Sequence, residues 1–424
     1  MLWKKNPPAV LAVLLLVHLL AHIDRNMLLG FSPQIINDLA LSHTQYGFLV
    51  GAVWVLSFGV MAMFMGTLAD RFSRTRVIAA GVLIWSACTL ASGHAHNFEQ
   101  MLVARFFVAS GEAALVPAAV ALLAELFSDK RRGTAMGLFF MGIPLGVGCS
   151  FLLAGSFGAT HGWRTTFYVL GFIGLAIALP LAMLKEDRSK LAAHERGAPF
   201  LAQAHAVLST IRGNRGLTFT IIGFVLVHLV FASFSFTQLW LVNERGMNAA
   251  GIATRIGTLQ LVFGTLGAAA GGAIGDRVAR NLRGGHASFM ALLVAICAPF
   301  MLAYRFAPAG SPLFYIGMCA GFFLPLAVYG PAITVITGVT PQKMRSTVTG
   351  FAMLSINVFA LAIGTVAVGM AADHFIRGGV THALTGVLLT TDMLAISSAL
   401  FFALASRASR RQPAIAVENI QPVR

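Results

Sequence analysis

Long apolar runs, each ended by a few charged, Gly or Pro residues, follow one another along the chain, and their limits define twelve segments. They lie at 9 to 30, 45 to 68, 77 to 93, 100 to 126, 134 to 158, 165 to 184, 216 to 243, 251 to 275, 287 to 306, 312 to 338, 347 to 372 and 382 to 405. A helix crosses a hydrocarbon core with roughly 20 apolar residues at about 1.5 Å rise each, so the pattern predicts twelve transmembrane helices. The only long polar connection, Lys185 to Arg215, divides them six from six. The expected organisation is a first six-helix half over residues 1–184, a linker over 185–215, a second half over 216–406 and a tail over 407–424.

Composition agrees with the pattern. Of 424 residues, 57% are hydrophobic and only 11% charged, against about a quarter charged in soluble domains. Cys88, Cys149, Cys297 and Cys319 fall singly within apolar runs, without the spacing of a disulfide framework or a zinc site. Lys4 and Lys5 followed by an apolar run resemble a secretory signal, but no small-residue cleavage site follows and further spans do. An uncleaved first span is the expectation.

The net charge of +15 does not point to nucleic acid, because no basic run is interleaved with stacking aromatics. It sorts by topology instead. With the N-terminus inside, 23 of the 30 Lys and Arg fall in cytoplasmic segments, as the positive-inside rule requires. Both termini are expected in the cytoplasm, and the membrane to be a bacterial inner membrane. Arg25 and Arg105 lie inside spans; Arg164, Arg245, Arg255, Arg305 and Arg377 are read at outer ends.

Gly66, Asp70, Arg71 and Arg74 after the second span recur as Gly272, Asp276, Arg277 and Arg280 after the eighth, 206 residues on and equally spaced. Such repetition marks two related halves. The segment from Gly66 to Arg76 resembles the loop signature of the major facilitator superfamily, which implies its all-α fold of twelve helices in two pseudo-symmetric halves. Asp70 ends a helix, where the macrodipole disfavours an anion. It is expected to latch onto the N-terminus of span eleven, near Ser346 to Gly350, with Arg74, Asp276, Arg277 and Arg280 serving the same device.

Within that superfamily the first half resembles the Spinster family. The similar stretches are Ile23-Asp24-Arg25, Leu41 to Gly47, Leu68 to Arg74, Ala104-Arg105 and Gly111-Glu112-Ala113-Ala114 before Pro117, with Thr340 to Arg345 in the second half. The resemblance implies a proton-linked lipid carrier whose acidic residues in spans one and four switch its conformation.

Charges deep in a span cost about 2.5 to 3.5 kcal/mol on insertion scales and call for partners. Helix rise places Asp24 about 22 Å up span one and Glu112 about 21 Å up span four, a shared level. Arg105 and Glu112, seven residues apart, lie on one stripe but too far apart to pair. Span one offers Asp24 for Arg105 and Arg25 for Glu112, or the reverse at a different tilt. Fully ionised, the four sum to zero; protonating Glu112 or Asp24 leaves a guanidinium suited to a phosphate or carboxylate. Glu112 is expected to carry the proton with Asp24 as its partner, and Arg25 and Arg105 to be counter-ions that can meet a headgroup. A static network pinning two helices is the alternative.

Other candidates are structural or substrate-facing. His18, His22 and Arg25 share a stripe of span one, with no third ligand for a metal. Asp392 in span twelve has no evident partner. Gly142, Pro144 and Gly146 in span five mark a bend against span eight or tight packing. Phe231, Phe234, Gln238, Trp240, Tyr329 and Asn357 could line a cavity suited to an acyl chain. The expected activity is proton-coupled alternating-access transport of an amphiphilic lipid such as a lysophospholipid or sphingoid phosphate. Small organic anions or sugar acids, and multidrug efflux, are the alternatives. No HExxH, G-x-S-x-G or P-loop motif is present, so an enzyme is not expected. The proton gradient would replace any cofactor, and the carrier would act as a monomer among membrane lipids.

Overall fold

The computed structural model describes residues 6–183 and 200–411, with the side chains of residues 63, 66, 67, 69–71, 129, 130, 200–204, 343 and 409–411 outside that description. All regular structure among the described residues is helical. Twelve helices are long and apolar enough to cross a membrane: Pro7–Gly30, His43–Ala62, Arg74–Gly93, Phe98–Leu126, Arg131–Gly155, Phe157–Met183, Arg215–Asn243, Ala249–Asn281, Gly285–Ala303, Pro312–Val339, Arg345–Arg377 and Ala383–Ala408. They are spans one to twelve below. The hydrophobic pattern located every one of them, because an apolar run long enough to cross a bilayer has few other stable conformations.

Between the halves, Phe200–Gly213 is a helix, not plain linker. Its Val207 and Ile211 are buried in the core of the second half with Leu217. Residues 184–199 lie outside the described residues.

The spans are not straight, and chemistry explains where they break. In span four, Pro117 has no N–H for the Ala113 carbonyl, and the helix steps at Ala113–Ala114 between Phe98–Glu112 and Leu115–Leu126. In span five, Pro144 likewise leaves the Phe140 carbonyl without its usual donor, and the helix is interrupted at Met141. Spans two, eight and eleven contain wide π-helical turns, at Phe48–Ala52, at Gln260–Gly264 and Ala270–Ile274, and at Ile356–Ile363. Such turns often mark working parts of a helix.

Three large apolar cores show how the halves meet. One joins Val10 to Ala21 of span one with spans three, four and six, wholly within the first half. A second is built wholly from the second half, around Phe224, Met290, Val328 and Ala352. The third crosses between the halves, uniting Met27, Tyr46, Leu49 and Phe151 with Phe236, Trp240, Ile256, Phe314 and Val368. It lies at the end away from the Lys- and Arg-rich loops. The halves are thus fused at that far end and have separate cores at the basic end.

Candidate functional site

The charged residues of spans one and four do converge. Asp24, Arg105 and Glu112 are 2%, 5% and 6% exposed. Arg105 Nη1 stands 3.1 Å from Asp24 Oδ1, and its Nη2 reaches 3.4 Å to the backbone carbonyls of Asp24 and Arg25. The Thr89 hydroxyl of span three donates to the other carboxylate oxygen of Asp24. Both oxygens of Asp24 are therefore engaged, and three helices are tied together. Thr89 was not evident from the sequence, where it is one hydroxyl in an otherwise ordinary apolar run.

Glu112 and Arg25 differ from expectation. Among the described residues they form no ion pair, because Trp54 of span two stands between them. The indole N–H of Trp54 donates to Glu112 Oε2 at 2.8 Å, and the Arg25 guanidinium lies over the Trp54 ring at 3.4 Å from its centroid. A desolvated cation on a Trp face gains about 2 kcal/mol, so the ring is a real substitute for a carboxylate. The remaining oxygen of Glu112, Oε1, is buried without a hydrogen-bond partner. Phe58 stacks on Trp54 at 4.5 Å, and the π turn just before Val53 sets where the indole points.

The far end is held by backbone groups as much as by side chains. Asp373 near the end of span eleven accepts from the backbone N–H of His43 at 3.0 Å and of Thr44 at 2.8 Å, from the Thr44 hydroxyl at 2.6 Å and from His43 Nδ1 at 2.8 Å. It fills the role of an N-terminal cap for span two, supplied by the opposite half. Tyr46 donates to the Ser235 carbonyl at 2.9 Å, Gln238 to the Gly30 carbonyl at 2.6 Å and Thr365 to the Gly47 carbonyl at 2.7 Å. Spans five and eight touch backbone to backbone: a Cβ on Gly257 would stand 2.7 Å from the Gly148 carbonyl oxygen. Beside this seam, Asp38 accepts from the Trp163 indole at 2.8 Å and from Arg164. The Trp163 bond, with Arg164 adding to it, holds the Asp38 carboxyl below its ordinary value.

At the basic end the described ion pairs of the loops run within each half. Arg74 bonds Glu125 at 2.9 Å within the first half. Asp276 meets His286 at 2.9 Å, and Arg280 Nε donates to the Asp276 carbonyl, within the second. Arg277 is exposed. Gly66, Asp70 and Arg71, the core of the expected latch, lie outside the described side chains.

Several other placements correct the sequence reading. Arg305 is not an outer-end topological charge: it is 1% exposed and is the partner that Asp392 lacked, at 2.8 Å through Nε. Its Nη2 donates to Ser233 at 2.6 Å, and the rings of Trp240 and Tyr304 flank the guanidinium at 4.6 and 4.5 Å. Trp240 is fully buried there and bonds Thr385, so it packs around this ion pair and does not line a cavity. The span-five bend exists, but Gly142 and Gly146 abut His18 and His22 of span one, while span eight is met further along at Gly148 and Gly155. His18 Nδ1–H donates to the Phe139 carbonyl at 2.9 Å, in the interrupted turn.

Of the remaining cavity candidates, Phe231 and Phe234 are half-buried, and Phe234 touches Phe151 of the first half and Phe322 at 5.4 and 5.5 Å. Tyr329 is 41% exposed. Asn357 bonds the Met353 carbonyl in its own helix. Among the described residues no His, Cys, Asp and Glu cluster could hold a metal.

Comparison with known proteins bears on the family and the fold. Over 413 residues the chain is 26% identical to a Mycolicibacterium smegmatis protein described as an MFS-type efflux pump, covering 95% of this chain and 93% of that one. Over 176 residues it is 28% identical to a sphingosine-1-phosphate transporter of Xenopus tropicalis, covering 41% of this chain and 34% of that one. A solved structure of a bacterial homologue of the human lysosomal transporter Spinster, inward-facing and unoccupied, superposes with a TM-score of 0.82 at 22% identity, over 97% of this chain and 99% of that one. The sequence signature described as Major Facilitator Superfamily matches residues 14–365. The protein therefore belongs to the major facilitator superfamily, as an integral membrane transporter of Spinster-like build and not an enzyme.

Proposed function

We propose that the protein is a proton-driven carrier of an amphiphilic anion, a lipid with a phosphate or carboxylate headgroup and a single chain. One observation carries the reading: Glu112 is buried with one oxygen unpaired, one indole away from a guanidinium that has no carboxylate of its own among the described residues. Such a carboxylate takes a proton at little structural cost, because the unpaired oxygen is where the proton would go. Protonation raises the charge of the Asp24, Arg25, Arg105 and Glu112 group from zero to one. A buried uncompensated cation is expensive, and an anionic headgroup on Arg25 removes that penalty. Proton and anion then bind together and cross together.

The apolar side chains Phe231, Phe234 and Tyr329 supply the other half of an amphiphile's requirements. Gln238 and Asn357, the polar groups that a sugar acid would need, already donate to backbone carbonyls. The likeness to a sphingosine-1-phosphate transporter supports the same class of substrate. The basic end faces the cytoplasm, with both termini there, in a bacterial inner membrane. The closed far-end seam supports reading this as the inward-facing state. The carrier works as a single chain, driven by the proton gradient without a cofactor.

The test is uptake by proteoliposomes under an imposed pH gradient, with a lysophospholipid and a sugar acid compared at equal concentration. Gradient-dependent uptake of the lysophospholipid alone supports the proposal. Uptake of the sugar acid alone moves the carrier to small organic anions, and no dependence on the gradient removes the proton from the mechanism.

A further inference from the structure

We infer that Trp54 is a positioning residue that couples the proton on Glu112 to the anion on Arg25 and passes both to span two. The inference rests on the proton-and-anion reading above and adds to it the part that makes the two events one. Among the described residues, Trp54 is the side chain that touches both charged groups, its N–H on Glu112 at 2.8 Å and its face under Arg25 at 3.4 Å. An indole is a rigid plane turned by two bonds, so its edge cannot move without its face. A charge-assisted bond to the carboxylate fixes the plane, and protonation replaces it with a weaker neutral bond. The plane can then tilt, and the guanidinium resting on it is free to turn to a headgroup. The same steps run backwards when an anion draws Arg25 away first, as linkage demands.

The position of Trp54 along the chain gives this movement a mechanical outlet. It lies just past the π-helical turn Phe48–Ala52, with Val53 between. That turn is packed against span eleven, where a Cβ on Gly51 would collide with Thr365, and Thr365 bonds the Gly47 carbonyl. Span two is also the helix that Asp373 caps from the other half. The coupling element therefore sits at the joint of a helix that closes the far end.

The experiment measures binding of oleoyl lysophosphatidic acid to the full chain in nanodiscs at about pH 5.5 and about pH 8. Wild type is expected to bind at least about fivefold more tightly at the acid pH, a usual size for coupling between sites. Trp54→Phe keeps a ring under Arg25 but has no N–H; its acid-side affinity stays within about threefold while the pH ratio falls below about twofold. Trp54→Tyr, whose ring carries a donor, retains a larger ratio than Phe, and Trp54→Leu loses affinity as well as the ratio. A wild-type ratio in Trp54→Phe overturns the role given to Trp54. Glu112→Gln separates the two layers: if it too keeps the ratio, or if wild type has none, the underlying proton-and-anion reading falls instead.

Discussion

Each half of the transporter buries one aspartate–arginine pair, and the two are built differently. Asp392 and Arg305 in the second half are 1% exposed each, bonded through Nε with Ser233 on Nη2 and two aromatic rings alongside. Among the described residues no second carboxylate bonds Arg305. Asp24 and Arg105 in the first half have Glu112 and Arg25 as neighbours, and the group is joined through Trp54 and Thr89 across four helices. A pair enclosed by rings and a hydroxyl braces a half; a pair with an unpaired carboxyl oxygen next to it can change charge. We read the pair of the second half as a brace and the group of the first half as the switch.

The largest effect should come from breaking the brace. Arg305→Ala leaves Asp392 buried and unpaired, a loss of about 3 to 5 kcal/mol, which thermal unfolding in detergent would show as loss of the folded carrier. The double change Arg305→Met with Asp392→Leu should restore most of that stability and leave the pH response of transport intact. A double variant that folds but loses the pH response would place switching in the second half too.

Next in size is the far-end seam, which belongs to neither half alone. Asp373→Ala removes a carboxylate that takes four bonds from the start of span two, and bonds to charged groups contribute about 1.5 to 3 kcal/mol each at most. The population should move toward a state open at the far end, read as faster labelling of a cysteine placed at half-buried Gln45, beside the capped Thr44. Unchanged labelling would mean that the apolar core around Tyr46 and Phe236 closes the seam unaided.

The smallest effect is at Asp38, which is half-exposed and screened, so Asp38→Asn should cost less than about 1 kcal/mol. The sign follows from its lowered carboxyl. A carboxylate more acidic folded than unfolded contributes stability above its unfolded value near pH 4, and loses it as pH falls through the lower folded value. Wild type and Asp38→Asn should differ in melting temperature at neutral pH and converge in acid. A difference that grows in acid would contradict the Trp163 and Arg164 geometry.

How far the sequence could lead is visible in these same residues. Rise per residue is fixed, so depth is legible: counting alone puts Asp24, Arg25 and Glu112 at one level and Arg105 about 10 Å from Glu112 along span four, and the structure brings Asp24 and Arg105 into contact. Direction around the helix is not legible, because the step at Ala113–Ala114 and the π turn of span two reset it. That is why counting leaves the partners of Arg25 and Arg105 open in two ways and gives no sign of Trp54 among many apolar aromatics. Arg305 reads as topological because a cation near a span's end looks so; the unpartnered Asp392 is the signal that points to it. Asp373 was hidden for another reason, since its partners are mainly backbone N–H groups, which leave no mark in a sequence.

The central claim is that Glu112 is the site whose proton switches the carrier. Glu112→Gln keeps a group that can accept from the Trp54 indole but cannot change charge, so the protein should remain folded and monodisperse. Lysophospholipid uptake by proteoliposomes holding this variant, measured from about pH 5 to about pH 8, should be flat where wild type varies. A variant whose uptake follows pH as wild type does would contradict the account.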